Sequence, residues 1–323
     1  MSTLTQLVPK GRLLYFNEEV HKYKDDLDQP YTSTTTVVGK YTEDFKTKEI
    51  AKACERIGRN PNHPKYLMYR GKFAKQLIAE WKAETERACA KGTIKHNTLE
   101  DAVKSSNNYK KNANGFVNDR IYTIDDIIKK HNYGKLTLKF FSKTGIDIKY
   151  PTIYGIIKDL VGKGFKIYAE IGVYHTGFLV SGLIDILLVN DAGEFYILDW
   201  KTNKAPLHFD CGYYEKNLDG TLNLDRWIAK DNYFEYPLNK LVDSVGNHYA
   251  MQLSTYAYLV ESFGLKLLGL ILCHIRTLEK TYDDNGNEVE EVKFYKIPYL
   301  RQDVESMLSD HARSIQSTKT LFS

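Results

Sequence analysis

Apolar and polar positions along the chain fall into alternating and helical stretches. The clearest alternating stretch is Gly182 to Lys204, GLIDILLVNDAGEFYILDWKTNK, two apolar runs around Asp191-Ala192-Gly193. Asp and Gly tolerate the positive φ that hairpin turns need, and the flanking runs are rich in β-branched and aromatic residues, so a two-stranded hairpin is predicted. Strands are also predicted over Phe165–Val173, Leu267–Arg276 and Val292–Ile297, and β-structure over residues 12–40, including the β-branched run Tyr31–Val38. The helical period predicts a helix from Phe45 to Arg59, stopped by Asn60-Pro61 and Pro64, and a second helical region from Tyr66 to Ala90 with Trp81 on its apolar side. Gly92-Thr93 is expected to break the chain, with Thr93 capping a new helix that runs to about Lys104. Short helices follow at Ile124–Lys130 and Thr152–Leu160, then an amphipathic one at Tyr249–Phe263 ended by Gly264, and a last one at Arg301–Thr318. Strands mixed with helices in this order predict an α/β protein, a mixed central β-sheet flanked by helices with a helical N-terminal elaboration.

Composition narrows the picture only a little. The chain of 323 residues is 42% hydrophobic and 27% charged, as expected of a globular protein with a sizeable core. A net charge of +4 and a pI near 8.5 are compatible with nucleic acid but too mild to argue for it. Tyrosine is abundant, at 24 residues, and supplies either core packing or stacking faces. Cys54, Cys89, Cys211 and Cys273 form no CxxC pair, so they read as reduced thiols of an intracellular, cytoplasmic protein rather than a zinc ribbon or disulfide scaffold. The N-terminus has no continuous apolar signal core and the run Leu267–Cys273 is too short to span a bilayer, so no membrane partner is expected.

Charge placed inside apolar strands carries the chemistry. Asp185 lies in the first hairpin strand, and Asp199 and Lys201 share one face of the second because side chains at i and i+2 point the same way. Two carboxylates and an ammonium at the end of a buried hairpin are costly unless something uses them, and a divalent cation is the natural candidate. His96 and Glu100 stand i, i+4 on one helix face, as a solvent-facing pair, a core histidine or a ligand set. Glu170 sits within a strand, either on an exposed face or within reach of the same centre. Lys110 and Lys111 lie in a polar basic stretch that reads as a solvated loop or a phosphate contact. Residues 208–247 interleave Tyr213, Tyr214, Trp227, Tyr233, Phe234 and Tyr236 with Lys216, Arg226 and Lys230, as a stacking surface for single-stranded bases or an insertion packed by its own aromatics. Gln252 and Tyr256 are again i, i+4, which alone describes a packing face.

Taken in order, His96 in GTIKH, Asp185 in GLID, Asp199 and Lys201 in DWK, and Gln252 and Tyr256 in QLSTY make the chain resemble the PD-(D/E)XK nuclease superfamily, in its RecB-type branch. The family's proline is absent here, Gly182-Leu183-Ile184 preceding Asp185. The Thr-rich segment, Trp81, Glu100 and Tyr249 look most like the mitochondrial genome maintenance exonuclease group and its phage-encoded relatives. The resemblance implies a restriction-endonuclease-like core over residues 92–323, with residues 1–91 packed on it or arching over it. It implies one or two Mg²⁺ or Mn²⁺ ions on His96, Asp185, Asp199 and the Trp200 carbonyl, with Lys201 orienting water and Glu170 and Glu100 as further ligand or base. Imidazole suits Mn²⁺ better than Mg²⁺. Gln252, Tyr256, Lys110, Lys111 and Lys204 are the implied DNA contacts. The implied activity is exonucleolytic cleavage of DNA, with a preference for single-stranded ends. Open alternatives are a double-strand recombination exonuclease, a structure-specific endonuclease and a catalytically inactive DNA-binding module. Some relatives hold an iron–sulfur cluster, but the cysteine spacing here does not fit one. No GxxxxGK[ST] P-loop is present, so any unwinding would come from a helicase partner, and a single-strand annealing protein is a further possible partner. A phage-encoded protein of this kind would work in its host's cytoplasm.

Overall fold

A computed structural model describes residues 11–17, 20–104, 119–129 and 145–321. Its centre is a nine-stranded mixed sheet flanked by helices, the α/β architecture expected. The middle of that sheet is the predicted hairpin, β6 (Val180–Val189) and β7 (Glu194–Lys201), paired antiparallel from Val189↔Phe195 to Ile186↔Leu198. Its turn is closed by Asn190, whose Oδ1 accepts the N–H groups of Ala192 and Glu194, and by Gly193 at φ 77°. β5 (Lys166–His175) runs antiparallel along the other edge of β6. β10 (Lys266–Tyr282) pairs parallel with β7, and β11 (Glu288–Ile297) pairs antiparallel with β10. On the far side, β3 (Pro30–Ser33) pairs parallel with the start of β6, and β2 (Lys22–Asp25), β1 (Leu14–Asn17) and β4 (Asp119–Ile121) follow as a meander. The path then curls back until Thr123 bridges Gly172 of β5.

Each face of the sheet has its own core, as side-chain alternation requires. Phe195 and Ile197 of β7 enter the larger core with the helix α8 (Val245–Glu261), whereas Leu198 and Trp200 enter the smaller one with α7 (Pro151–Gly162). α8 is buried almost all round, so its hydrophobic period is weak; Ser244 caps it by accepting the Asn247 N–H. Closing helix α9 (Arg301–Leu321) inserts Val304, Met307 and Leu308 into the larger core.

Two local expectations are corrected. Tyr31–Val38 is not one strand: β3 ends at Ser33, whose hydroxyl accepts the Thr36 N–H and starts the helix α1 (Thr34–Gly39). An N-cap serine outweighs the β-propensity of three threonines because it satisfies an otherwise orphaned N–H. Nor does Gly92-Thr93 break the chain. α4 is one continuous helix of 31 residues, Ala74–Lys104, and Thr93 is interior to it, its hydroxyl donating to the Cys89 carbonyl at 3.0 Å. Gly92 serves instead as a close-approach point, because a Cβ there would lie 3.0 Å from Thr202 Oγ1. The position expected to separate residues 1–91 from 92–323 therefore falls inside α4. α4 packs against α2 (Thr47–Ile57) through a small satellite core of Ala51, Cys54 and Leu77, with Trp81 on its flank. Before α7 lie α3 (Tyr66–Tyr69), α5 (Ile124–Lys129) and α6 (Ile146–Lys149). No helix among the described residues is long and apolar enough to cross a membrane.

Candidate active site

The site lies where the sheet splits. Pairing of β6 with β7 ends at Ile186↔Leu198, and beyond it β7 continues only with β10 (Asp199↔Leu272, Trp200↔Cys273, Lys201↔His274). β6 meanwhile leaves to meet β3 at Ser181↔Ser33. The parting frees the Trp200 N–H from any β6 carbonyl, and the Asp185 carboxylate takes it: Trp200 N donates to Asp185 Oδ2 at 3.0 Å. A buried N–H must find an acceptor, so the split fixes Asp185 at the mouth of the gap. The residue expected to offer a carbonyl ligand, Trp200, thus makes its observed contact with Asp185 through its N–H.

Two further groups converge on Asp185. His96 arrives from α4, with Nε2 3.1 Å from Asp185 Oδ1. Glu170 arrives from β5, where it holds a left-handed φ of 52°. Few non-glycine residues adopt that conformation, and strand alternation breaks there: Ala169 joins the smaller core, yet Ile171 and Val173 join the larger one. One ligand atom each from His96, Glu170 and Asp185 lies within 4.8 Å of the others. Asp199 stands beside this trio. It is 1% exposed, and its Oδ2 is 2.7 Å from Lys201 Nζ, on the shared face that strand alternation requires.

The charges of these groups are set by one another. Burial alone would lower the His96 pKa, but the Asp185 hydrogen bond and the negative charges of Asp185, Glu170 and Asp199 lift it to about 9. Burial pushes Asp199 up, reinforced by repulsion from Asp185, to about 6 despite the Lys201 ammonium. Asp185 goes the other way: His96, Lys201 and the Trp200 N–H overcome burial and hold it below the usual carboxylate range. Lys201 is held protonated, since Asp199 and Asp185 outweigh its desolvation. Acids forced apart in this manner are a feature of catalytic sites, where neighbouring carboxyl groups take different roles.

An imidazole nitrogen and two carboxylates within reach of one point fit a divalent cation of the Mn²⁺ or Mg²⁺ kind, the nitrogen favouring Mn²⁺. The chemistry such a cation supplies when bound is a lowered pKa for water and charge relief on phosphate oxygens. The residues that would hold it by this geometry are His96, Glu170 and Asp185, with Asp199 adjoining.

The remaining expected residues divide. Gln252 and Tyr256 share a face of α8, but both are buried, and Gln252 Nε2 donates to the Tyr256 hydroxyl at 2.9 Å. The Tyr256 ring fills the split in the sheet against Gly182 of β6, where a Cβ would come within 2.3 Å of it. Lys204 is half-exposed and ion-paired with Glu279 at 2.6 Å and Glu84 at 3.6 Å. Glu100 lies on α4, but its side chain, like Lys110 and Lys111, falls outside the described residues. One neighbour carried no role in the sequence reading. Tyr249 lays its ring 4.8 Å from Lys201 Nζ and donates its hydroxyl to Asn203 Oδ1 at 2.7 Å. The signal was present, because Tyr249 precedes Gln252 by three residues and Tyr256 by seven, on one helix face. A second is Lys95, beside His96, which ties α4 to the sheet through Thr277 and Glu290, whose carboxylate also accepts from Tyr150.

No protein-family model matches the chain. No curated protein matches it either. Among solved structures, the crystal structure of SSO0001 aligns over 70% of this chain and 87% of its own, at 14% identity and a TM-score of 0.23, too slight a likeness to carry an argument.

Proposed function

We propose that the protein is a divalent-metal-dependent deoxyribonuclease that hydrolyses phosphodiester bonds from DNA ends, with a preference for single strands. The observation that carries this reading is the convergence of His96, Glu170 and Asp185 within 4.8 Å, one residue pair away from a buried Asp199–Lys201. Phosphodiester cleavage requires a positioned water and compensation of charge building on the phosphate. In this reading Lys201, protonated and held by Asp199, supplies a fixed ammonium for that charge. Asp199, buried at 2.7 Å from that ammonium, keeps it in place. Tyr249 limits where the Lys201 ammonium can point. The ordered motif resemblance supports DNA as substrate and an end-directed mode. Its setting is the cytoplasm of a cell or phage host, with a helicase or annealing protein as partner.

The test is digestion of end-labelled linear single-stranded DNA with Mg²⁺ or Mn²⁺, beside a covalently closed circle and the Lys201→Ala variant. Metal-dependent shortening of the linear strand alone, lost in Lys201→Ala, is the expected result. Cutting of the circle would mean an endonuclease, and undiminished cleavage by Lys201→Ala would remove this centre from the reaction.

A further inference from the structure

Behind the carboxylate centre, the chain from the end of β7 to the start of α8 encloses a second feature. β8 (Gly212–Lys216) and β9 (Leu222–Ala229) form a two-stranded ribbon separate from the main sheet. An isolated ribbon is marginal in water and needs something to pack on. Instead of closing on itself, this one walls a cavity of about 540 Å³, the size of a small-ligand pocket. Its wall is a fixed aromatic stack. Trp227 and His208 lie face to face with ring centres 4.0 Å apart and planes 17° apart. Tyr214 meets the Trp227 edge at 5.0 Å and is hydrogen-bonded through its hydroxyl to His208 Nε2, which locks all three rings. On the opposite face of the ribbon, Tyr213 is 42% exposed, and the ammonium groups of Lys65 and Lys230 lie 6.0 and 5.4 Å from its ring centre.

One lining residue ties the cavity to the carboxylate centre. Asn203 lines it, two residues beyond Lys201, and is bonded to the same Tyr249 that covers the Lys201 ammonium. Two extended residues span at most about 7 Å, so the Asn203 wall of the cavity is within reach of the nucleotide next to a phosphate at Lys201. Flat rigid rings and nearness to a phosphate site together describe a seat for an unstacked base. Lys65 is itself paired with Glu215 at 3.1 Å, so stacking rather than charge dominates recognition here.

We propose that this cavity binds one unstacked nucleobase of the DNA strand whose neighbouring phosphate lies at the carboxylate centre, an inference that rests on the nuclease reading. The Trp227 ring, fixed by His208 and by Tyr214 on the same ribbon face, gives the seat, which makes it tolerant of base identity and selective for unpaired strands. A duplex keeps its bases stacked and cannot offer one.

The experiment is equilibrium binding by the full chain in EDTA, where no metal-dependent hydrolysis can occur. The probes are a labelled oligothymidylate, an abasic deoxyribose-phosphate chain of equal length and free dTMP. Oligothymidylate is expected to bind about tenfold tighter than the abasic chain. Trp227→Leu should erase most of that difference and leave abasic binding unchanged, while Trp227→Phe, which keeps an aromatic ring, retains most of it and shows that the ribbon is folded. Equal binding of the two chains, or equal weakening of both by Trp227→Leu, overturns the proposal. Binding of dTMP as tight as the oligomer also overturns it, in favour of a free-nucleotide site. Base-dependent binding lost in Trp227→Leu, in a protein that shows no metal-dependent digestion, would refute the nuclease reading while retaining the base seat. Digestion without base-dependent binding would refute the seat alone.

Discussion

The Gly182→Ala substitution isolates what the split in the sheet requires. A Cβ at position 182 would lie 2.3 Å from Tyr256 Cε1 and 3.1 Å from Cζ, with Thr34 Oγ1 at 3.2 Å on the other side. Carbon atoms pack at about 3.5 Å or more, so the ring must move by about 1 Å. Tyr256 is 4% exposed and is packed within the larger core. Overpacking of this kind costs about 1–3 kcal/mol, and displacing the hydroxyl from Gln252 adds about 1 kcal/mol. Against this stands a gain of about 0.5–1 kcal/mol from replacing glycine inside a strand. The expected net is a loss of about 2 kcal/mol, read as a lower midpoint in urea at unchanged slope. Tyr256→Leu removes the clashing atoms, so a double-mutant cycle should return a favourable coupling of about 2 kcal/mol between positions 182 and 256. Additive single and double variants, or a neutral Gly182→Ala, would refute the account of Tyr256 as the plug of the gap.

Other consequences are open to measurement. Saturating Mn²⁺ should stabilise the fold by mass action, about 2.7 kcal/mol at a hundredfold excess over Kd, and raise the melting temperature; Glu170→Gln should lose most of that rise, and an undiminished rise would take Glu170 out of the ligand set. Burial holds the His175 pKa down at about 4, with its Nδ1 accepting the Gly177 and Phe178 N–H groups. Between about pH 4 and 6.5 the unfolded chain therefore binds the extra proton, so this contribution is complete above pH 6.5 and is lost as pH falls towards 4, by at most about 3 kcal/mol. His175→Asn should flatten the acid limb of a stability-against-pH curve, and an unchanged limb would show that the titration lies elsewhere. Lys95→Met breaks a pair whose side chains are 17% and 15% exposed and should cost about 2 kcal/mol in urea unfolding; a change below 0.5 kcal/mol would mean that α4 is held by its apolar contacts alone.

What the sequence disclosed, and what it hid, follows from the range of the interactions concerned. The β6–β7 hairpin was legible because its turn is local chemistry at Asn190 and Gly193. The Asp199–Lys201 face was legible because it depends only on strand periodicity. The ligand role of Glu170 was left as a second choice because its left-handed backbone is imposed by tertiary structure and leaves no mark on residue type. Gly92 misled for the same reason: glycine signals a helix break locally, and only the approach of Thr202 reveals a packing contact. The parting of β6 from β7, which frees the Trp200 N–H for Asp185, depends on where β3 and β10 recruit each strand and is invisible to any window along the chain.

The continuity of α4 makes the protein mechanically indivisible. At 1.5 Å per residue its 31 residues form a rod about 46 Å long, with the Ala51–Leu77 satellite core at one end and His96 near the other. A helix transmits rotation and translation along its length with little loss, so a load on the satellite is felt at His96. The satellite and the His96 centre are thus carried on one element, so a truncation that removes the rod also removes His96.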